Sequence, residues 1–322
     1  MILKNLLLKA FYLLVFLFSG LYIIIYLHKK VLAHMQSRRG PLQTGFHGTL
    51  QIFSQILKSL LNWPKLFTSL QDLSNNIGVM ISLTFAILAF LLIPLTEDIF
   101  LMNIEMSLPL CLSFIMISNV GAFLSIRKVK LNSNKMADLL DRISTVLIFS
   151  ISLFISSMGP IIVSSSFNLF EIVRAQSGFY NILYQPLSFI VFLLSCSLLW
   201  QRLPLDVPLK DTYFNTDYLS TQTGLNYLIS TISEYINIIS LLILGTLLYL
   251  GGWNGPKILH PLIWTIIKTF ILQVILLFLY TIIPRIRGFR KKINLSLAFL
   301  CLLSFLNLLI VIFLVLYLKP IL

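Results

Sequence analysis

The chain holds 322 residues, 58% of them hydrophobic and only 11% charged, with a mean hydropathy of +0.94. A water-soluble fold of this length cannot hide so much apolar surface, and a disordered chain has the opposite composition, so soluble enzyme, secreted module and disordered scaffold are excluded. The net charge of +13, from 24 Lys+Arg against 11 Asp+Glu, lies mostly between apolar runs, the wrong place for a basic face that binds nucleic acid.

A helix needs about 20 apolar residues to cross the hydrocarbon core. Eight stretches meet that need, roughly 6–27, 77–96, 106–127, 139–158, 182–200, 225–250, 263–283 and 294–318. They are continuous and rich in Leu, Ile and Phe, which predicts an all-α polytopic membrane protein rather than a β-barrel, arranged as a single membrane domain over 1–322. The first run is longer than a signal-peptide core and lacks a small-residue cleavage site, so it is expected to persist as a helix.

After the first span, 46–63 reads as an interfacial amphipathic helix. Phe46, Leu50, Phe53, Leu57, Leu60 and Leu61 recur at helical spacing, with Gln51, Ser54, Gln55, Lys58, Ser59 and Asn62 on the other stripe. Such a helix is either a surface anchor or a lid over a lipid-soluble substrate. In the fourth span Arg142 stands one turn from Asp138, beside Asp141, and is expected to form a structural charge pair. The loop from the fifth to the sixth span holds Arg202, Asp206, Asp211 and Asp217, three of the 11 acids within twelve residues. Glu234 falls inside the sixth span, where an ionisable group is costly and needs a partner or a role. From position alone it is either an interhelical hydrogen-bonding glutamate or a proton-carrying carboxylate, with Asn237 and Tyr227 on neighbouring turns. Lys268, inside the seventh span, is expected to find a protein partner.

Cys111, Cys196 and Cys301 sit singly in apolar segments, so no disulfide framework, cluster or metal site is expected. The histidines, His28, His34, His47 and His260, fall outside the apolar runs and read as ordinary interface or loop residues, unable to clamp a haem. No phosphate-binding loop, dinucleotide fingerprint, zinc-protease motif or nucleophile elbow is present, and no internal repeat of the carrier type is evident.

Orientation follows from the basic loops, which stay on the side from which the chain is inserted. Seventeen of the 24 Lys+Arg lie after the first, third, fifth and seventh spans, against five on the other side, which agrees with eight spans and with both termini on the non-cytoplasmic face.

The segment from Lys30 to Gln51 resembles the first loop of subunit 1 of respiratory NADH:ubiquinone oxidoreductase, whose pattern runs K-V-L-x-x-x-Q-x-R-x-G-P-x-x-x-G-x-x-G-x-L-Q-P. Lys30, Val31, Leu32, Gln36, Arg38, Gly40, Pro41, Gly45, Gly48, Leu50 and Gln51 match it in register. Arg202-Leu-Pro-Leu-Asp206 resembles the family's R-x-P-F-D, Glu234-Tyr-Ile-Asn-Ile238 its E-Y-x-N-I, and Pro284-Arg-Ile-Arg287 its P-R-x-R. Asn134-Lys135 with Arg142 matches N-S-K and a following arginine more weakly. The resemblance spans the chain in order.

That resemblance implies a core membrane subunit of a proton-pumping complex, forming the membrane end of the quinone cavity. Arg38, Arg202 and Phe46 would then border the quinone, while Asp206, Asp211, Glu234 and Tyr235 would couple its reduction to proton movement. Ubiquinone would be the substrate. NADH, FMN and iron–sulfur clusters would belong to partner subunits, with peripheral-arm and small membrane subunits as neighbours beside the lipid bilayer, and no nucleic acid. The implied location is the mitochondrial inner membrane with basic loops facing the matrix, or else a bacterial plasma membrane. The departures are substantial. The family's V-E-R-K becomes Leu27-His-Lys-Lys30 and its E-T-N-R becomes Leu199-Trp-Gln-Arg202, which removes two acids. The acidic run after R-x-P-F-D keeps only Asp211 clearly, with Leu209 and Tyr213 near the other acid positions. The glutamate of a fourth-span S-Y-E is replaced in Ile148-Phe-Ser-Ile151, and the arginine preceding P-R-x-R is missing. A mainly structural subunit of the same complex, with its proton route moved to neighbours, is the alternative; a hydrogenase-type complex subunit or a stand-alone carrier stands further off.

Overall fold

The computed structural model describes residues 2–35, 37–42, 44–61, 70–124, 133–199, 225–256, 258–282 and 289–318. Every element among them is helical: α1 (Ile2–Met35), a 3-10 turn (Phe46–Gly48), α2 (Gln51–Leu61), α3 (Leu70–Leu91), α4 (Ser107–Leu124), α5 (Ser133–Ser164), α6 (Leu169–Ala175), α7 (Asn181–Tyr184), α8 (Pro186–Leu199), α9 (Leu225–Tyr249), α10 (Pro261–Ile282) and α11 (Phe289–Leu318). At least five stretches are long and apolar enough to cross a bilayer, namely Leu8–Met35, Val146–Ser164, Leu225–Tyr249, Pro261–Leu279 and Phe299–Tyr317. The chain is an all-α, polytopic membrane protein. Its outer helices turn large apolar side chains outward, among them Phe18, Phe270, Phe305 and Phe313, as a surface solvated by lipid requires.

The bundle is organised around α9, which is buried continuously from Ser233 to Tyr249 and packs against α1, α3, α4, α8 and α10. A helix end in that position cannot turn to water for its last carbonyl groups, and in an apolar surrounding each must be satisfied by protein. Gln176 Nε2 donates to the Leu247 carbonyl (2.8 Å) and Asn181 Nδ2 to that of Leu248 (2.8 Å). Lys268 Nζ donates to the Leu250 (2.7 Å), Gly252 (2.9 Å) and Asn254 carbonyls. The partner expected for Lys268 is therefore the backbone that follows α9, with the Tyr180 ring 4.8 Å from its ammonium.

A second backbone defect is repaired beside it. Pro160 lies inside α5 and has no N–H to give the carbonyl of Ser156, four residues earlier. That oxygen accepts instead from Ser188 Oγ of α8 (2.7 Å) and Tyr249 Oη of α9 (2.9 Å), so the proline ties three helices together. Tyr249 is fully buried. Replacing it with Phe removes one of the two donors and is expected to destabilise the fold by about 1 kcal/mol, read as a lower thermal-inactivation temperature in detergent; an unchanged temperature would mean that Ser188 alone suffices.

Several boundaries differ from the sequence expectation for identifiable reasons. The second span, expected over 77–96, ends as a helix at Leu91 because Pro94 disfavours helical backbone just before it. The fifth, expected over 182–200, is broken at Gln185 by Pro186, leaving α8 as 14 residues, about 21 Å. The helix α6 lies outside every expected element, although Asn168-Leu-Phe-Glu171 carries a helix-start pattern and Asn168 Oδ1 accepts from the Phe170 N–H at 3.0 Å.

Candidate functional site

The first loop folds against the end of α1. Tyr22 Oη donates to the Thr49 carbonyl (2.9 Å), and both Tyr26 Oη and Lys30 Nζ donate to that of His47 (3.3 Å each). Lys29 Nζ donates to Gln55 Oε1 on α2, and Thr44 Oγ1 to Gln51 Oε1 (2.6 Å). Between these ties the backbone turns through left-handed conformations at His47 (φ 54°) and Gly48 (φ 82°). A Cβ on residue 48 would overlap the Pro41 carbonyl, so this motif position admits only glycine. The left-handed pair also splits the helix expected over 46–63 into the 3-10 turn and α2, while 62–63 lie outside the described residues. On α2, Ile52 is buried, whereas Phe53, Leu57 and Leu61 are 55%, 59% and 83% exposed. Among the described residues that apolar stripe is left largely open, with only the Phe53 ring near another, 5.9 Å from that of Tyr22.

Two of the three residues expected at a quinone cavity belong to this loop. Arg38 follows the end of α1 and is exposed. Phe46 is also exposed and stacks on the His47 ring at 4.3 Å. The third, Arg202, lies with Asp206 and Asp211 outside the described residues. Arg142 and Asp138 share α5, but their side chains fall outside the described residues as well.

Glu234 and Tyr235 are consecutive on α9 and both are buried, at 8% and 3% exposure. The Tyr235 hydroxyl meets Nδ1 of His28 at 3.1 Å, with the two rings edge to face. His28 is 6% exposed, which corrects its reading as an ordinary interface or loop histidine. Hydropathy passes over it because the apolar window stops at residue 27, although a signal is present. The inward stripe of α1 runs Leu13, Leu17, Leu21 and Ile24, and one more helical step falls on His28. It also stands where the V-E-R-K pattern has its glutamate.

One turn from Glu234 the interior is polar without being charged. Asn237 Nδ2 donates to Ser118 Oγ (2.8 Å) and Asn119 Oδ1 (3.2 Å) on α4. Ser118 Oγ donates to the Ser82 carbonyl of α3 (2.7 Å), and the Ser82 and Ser233 hydroxyls meet at 3.2 Å. This seam locks α3, α4 and α9 in register; such hydrogen bonds orient helices in an apolar surround. Among the residues whose side chains are described, Glu234 is the one buried carboxylate. Also among the described residues, Cys111, Cys196 and Cys301 are free thiols, and no three His, Cys, Asp or Glu side chains gather as metal ligands.

The family model described as NADH dehydrogenase matches residues 8–312. Curated relatives bear the name of the H-type subunit of NADH-quinone oxidoreductase. The Dehalococcoides mccartyi protein (strain 195) is 28% identical over 304 residues, covering 90% of this chain and 83% of its own. An H-type subunit of Rhizobium meliloti is 26% identical over 295 residues, covering 85% of this chain and 88% of its own, and one of Geobacter metallireducens is 28% identical over 273 residues, covering 82% of each. A match over nearly the whole length makes the chain a member of the NADH dehydrogenase family and a distant homologue of the H-type membrane subunit of that enzyme complex.

Proposed function

We propose that this chain forms the membrane end of the quinone site in an NADH:quinone oxidoreductase, and that it chiefly builds and holds that site while neighbouring subunits carry most of the proton route. The observation that carries this reading is the seam around α9. Its hydrogen bonds fix helices, but serine hydroxyls and asparagine amides do not hold a transferable charge, and Glu234 is the one buried carboxylate among the residues whose side chains are described. In this reading the chain is a single domain of eight spans with the basic loops on the cytoplasmic or matrix side and α2 lying in the interface. Arg38, Phe46 and Arg202 border the quinone where peripheral-arm subunits close over the exposed first loop, and Asp206 and Asp211 lie beside it. Ubiquinone is the substrate, with NADH, FMN and iron–sulfur clusters held by partners. The bacterial relatives favour a bacterial plasma membrane over the mitochondrial inner membrane.

Glu234→Gln in the intact complex tests it. Quinone reduction and proton pumping are both expected to stay above about half of the parent rates, because the amide retains hydrogen bonding.

One specific observation favours a second reading, in which Glu234 couples quinone reduction to pumping. Tyr235, its neighbour, is hydrogen-bonded to a buried imidazole, and a Glu, Tyr and His together contain groups able to exchange protons. Under this reading Glu234→Gln lowers pumping about tenfold or more with the complex still assembled, and His28→Phe lowers quinone reduction by a similar factor. Under the first reading neither change exceeds about twofold.

A further inference from the structure

Residues 28–71 carry six Lys and Arg, namely Lys29, Lys30, Arg38, Arg39, Lys58 and Lys65, and no Asp or Glu. The basic loops hold seventeen Lys and Arg in all, and the carboxylates in and beside them are Asp72, Asp138, Asp141, Asp206, Asp211 and Asp217. Ion pairing within the chain therefore leaves that side strongly cationic. Such an excess needs counter-charge from outside the chain, and an anionic surface within a Debye length supplies it.

The helix α2 places three kinds of side chain on three sides. Ile52 is buried where α2 packs on α1 and α9. Phe53, Leu57 and Leu61, four residues apart, form the exposed apolar stripe, which Leu50 extends beyond the helix start. Lys58 is exposed and falls on the flank of that stripe remote from Ile52, the position from which a lysine stem lies along apolar surface while its ammonium reaches up. Gln55, across the helix from the stripe, accepts from Lys29 of α1 and fixes the roll of α2. The stripe also continues an outward face of α1: the Tyr22 ring lies 5.9 Å from that of Phe53, and Phe18, one turn before Tyr22, is exposed.

We propose, resting on the interfacial placement of α2, that this helix and its loop select phospholipids of net negative headgroup charge from the surrounding leaflet. The stripe enters the upper acyl region, and Lys58, with Arg39 nearer the end of α1, meets the headgroup phosphates as a charge-assisted donor. A zwitterionic lipid offers the same phosphate but adds its own ammonium, which the cationic loop repels, so the preference is for net charge. Continuity of the stripe with the lipid-facing side of α1 favours a bilayer over a neighbouring protein as what covers α2. A consequence is a patch of acidic lipid held beside the first loop.

The test is photolabelling of the native assembly, reconstituted into vesicles of equal parts phosphatidylglycerol and phosphatidylcholine. Each lipid carries in turn the same diazirine near the ester end of one acyl chain, and adducts are mapped by mass spectrometry. At Leu50–Leu61 the ratio of phosphatidylglycerol to phosphatidylcholine adducts is expected to exceed that at Phe270, on the outward face of α10, by about tenfold at low salt, and to fall as salt is raised. Lys58→Gln is expected to lower that excess about fivefold, and Lys58→Arg to keep it. Equal ratios at the two places, an excess that ignores salt, or one unchanged in Lys58→Gln overturns the proposal. If Lys58→Gln fails to accumulate, the parent's salt dependence and its ratio against Phe270 decide. Adducts from neither lipid on Leu50–Leu61, or cross-linking of that segment to another protein subunit, overturn the interfacial placement itself, whereas equal adducts from both overturn the charge selection alone. None of these readouts depends on NADH oxidation or quinone reduction, so failure here is separable from failure of the quinone assignment.

Discussion

Gly48→Ala is expected to cost about 3 kcal/mol or more, from the left-handed backbone and from the collision of the new methyl group. At φ 82° an L side chain is already strained, and the Cβ would overlap the carbonyl of Pro41 on the facing strand of the loop. Backbone atoms on both sides cannot step aside as a flexible side chain could. The loop is held by three donors from α1, so relief would require giving up the Tyr22, Tyr26 and Lys30 ties together. The measurement is the steady-state amount of the chain in membranes, with limited proteolysis of the first loop. Severe depletion or rapid cleavage between residues 37 and 50 is expected. Parent abundance with a protease-resistant loop would show that the left-handed turn is dispensable.

Lys268→Met carries the second large effect. The ammonium serves three carbonyl oxygens at the end of the most buried helix, and methionine fills the same space without a donor. Each buried acceptor left unmade costs about 1–3 kcal/mol, partly offset by releasing a cation from an apolar site, so a net loss on the order of 3 kcal/mol is expected. The readout is the thermal-inactivation temperature of the detergent-solubilised protein, which should fall well below that of Tyr249→Phe. Equal temperatures for Lys268→Met and the parent would remove the capping role. Arg is expected to rescue only in part, because its planar fork cannot follow three carbonyls that Lys reaches as a point donor.

The parts of the fold that sequence makes legible are those governed by one dominant force. Long apolar runs announce bilayer helices because the bilayer leaves a backbone few alternatives, and the five that meet the length criterion lie within or across predicted windows. Lys268 is legible for the same reason, since a cation there must find an oxygen. Boundaries are less so: Pro94 and Pro186 end or break helices inside stretches that remain apolar throughout, and hydropathy does not register backbone geometry. At the candidate site, Glu234 stands out by charge. His28 does not, because only the phase of the α1 stripe marks its burial, and its contact with Tyr235 spans 207 residues and has no local pattern. The left-handed turn at Gly48 is visible as a motif glycine, while its cause, the approach of Pro41, needs the folded loop.

The assignment to an NADH-oxidising assembly is tested most directly by native electrophoresis of mildly solubilised membranes, with NADH-dependent dye reduction in the gel and mass spectrometry to find this chain. Co-migration with a very large NADH-oxidising band is the predicted result. Migration as a small species without that activity would contradict the account.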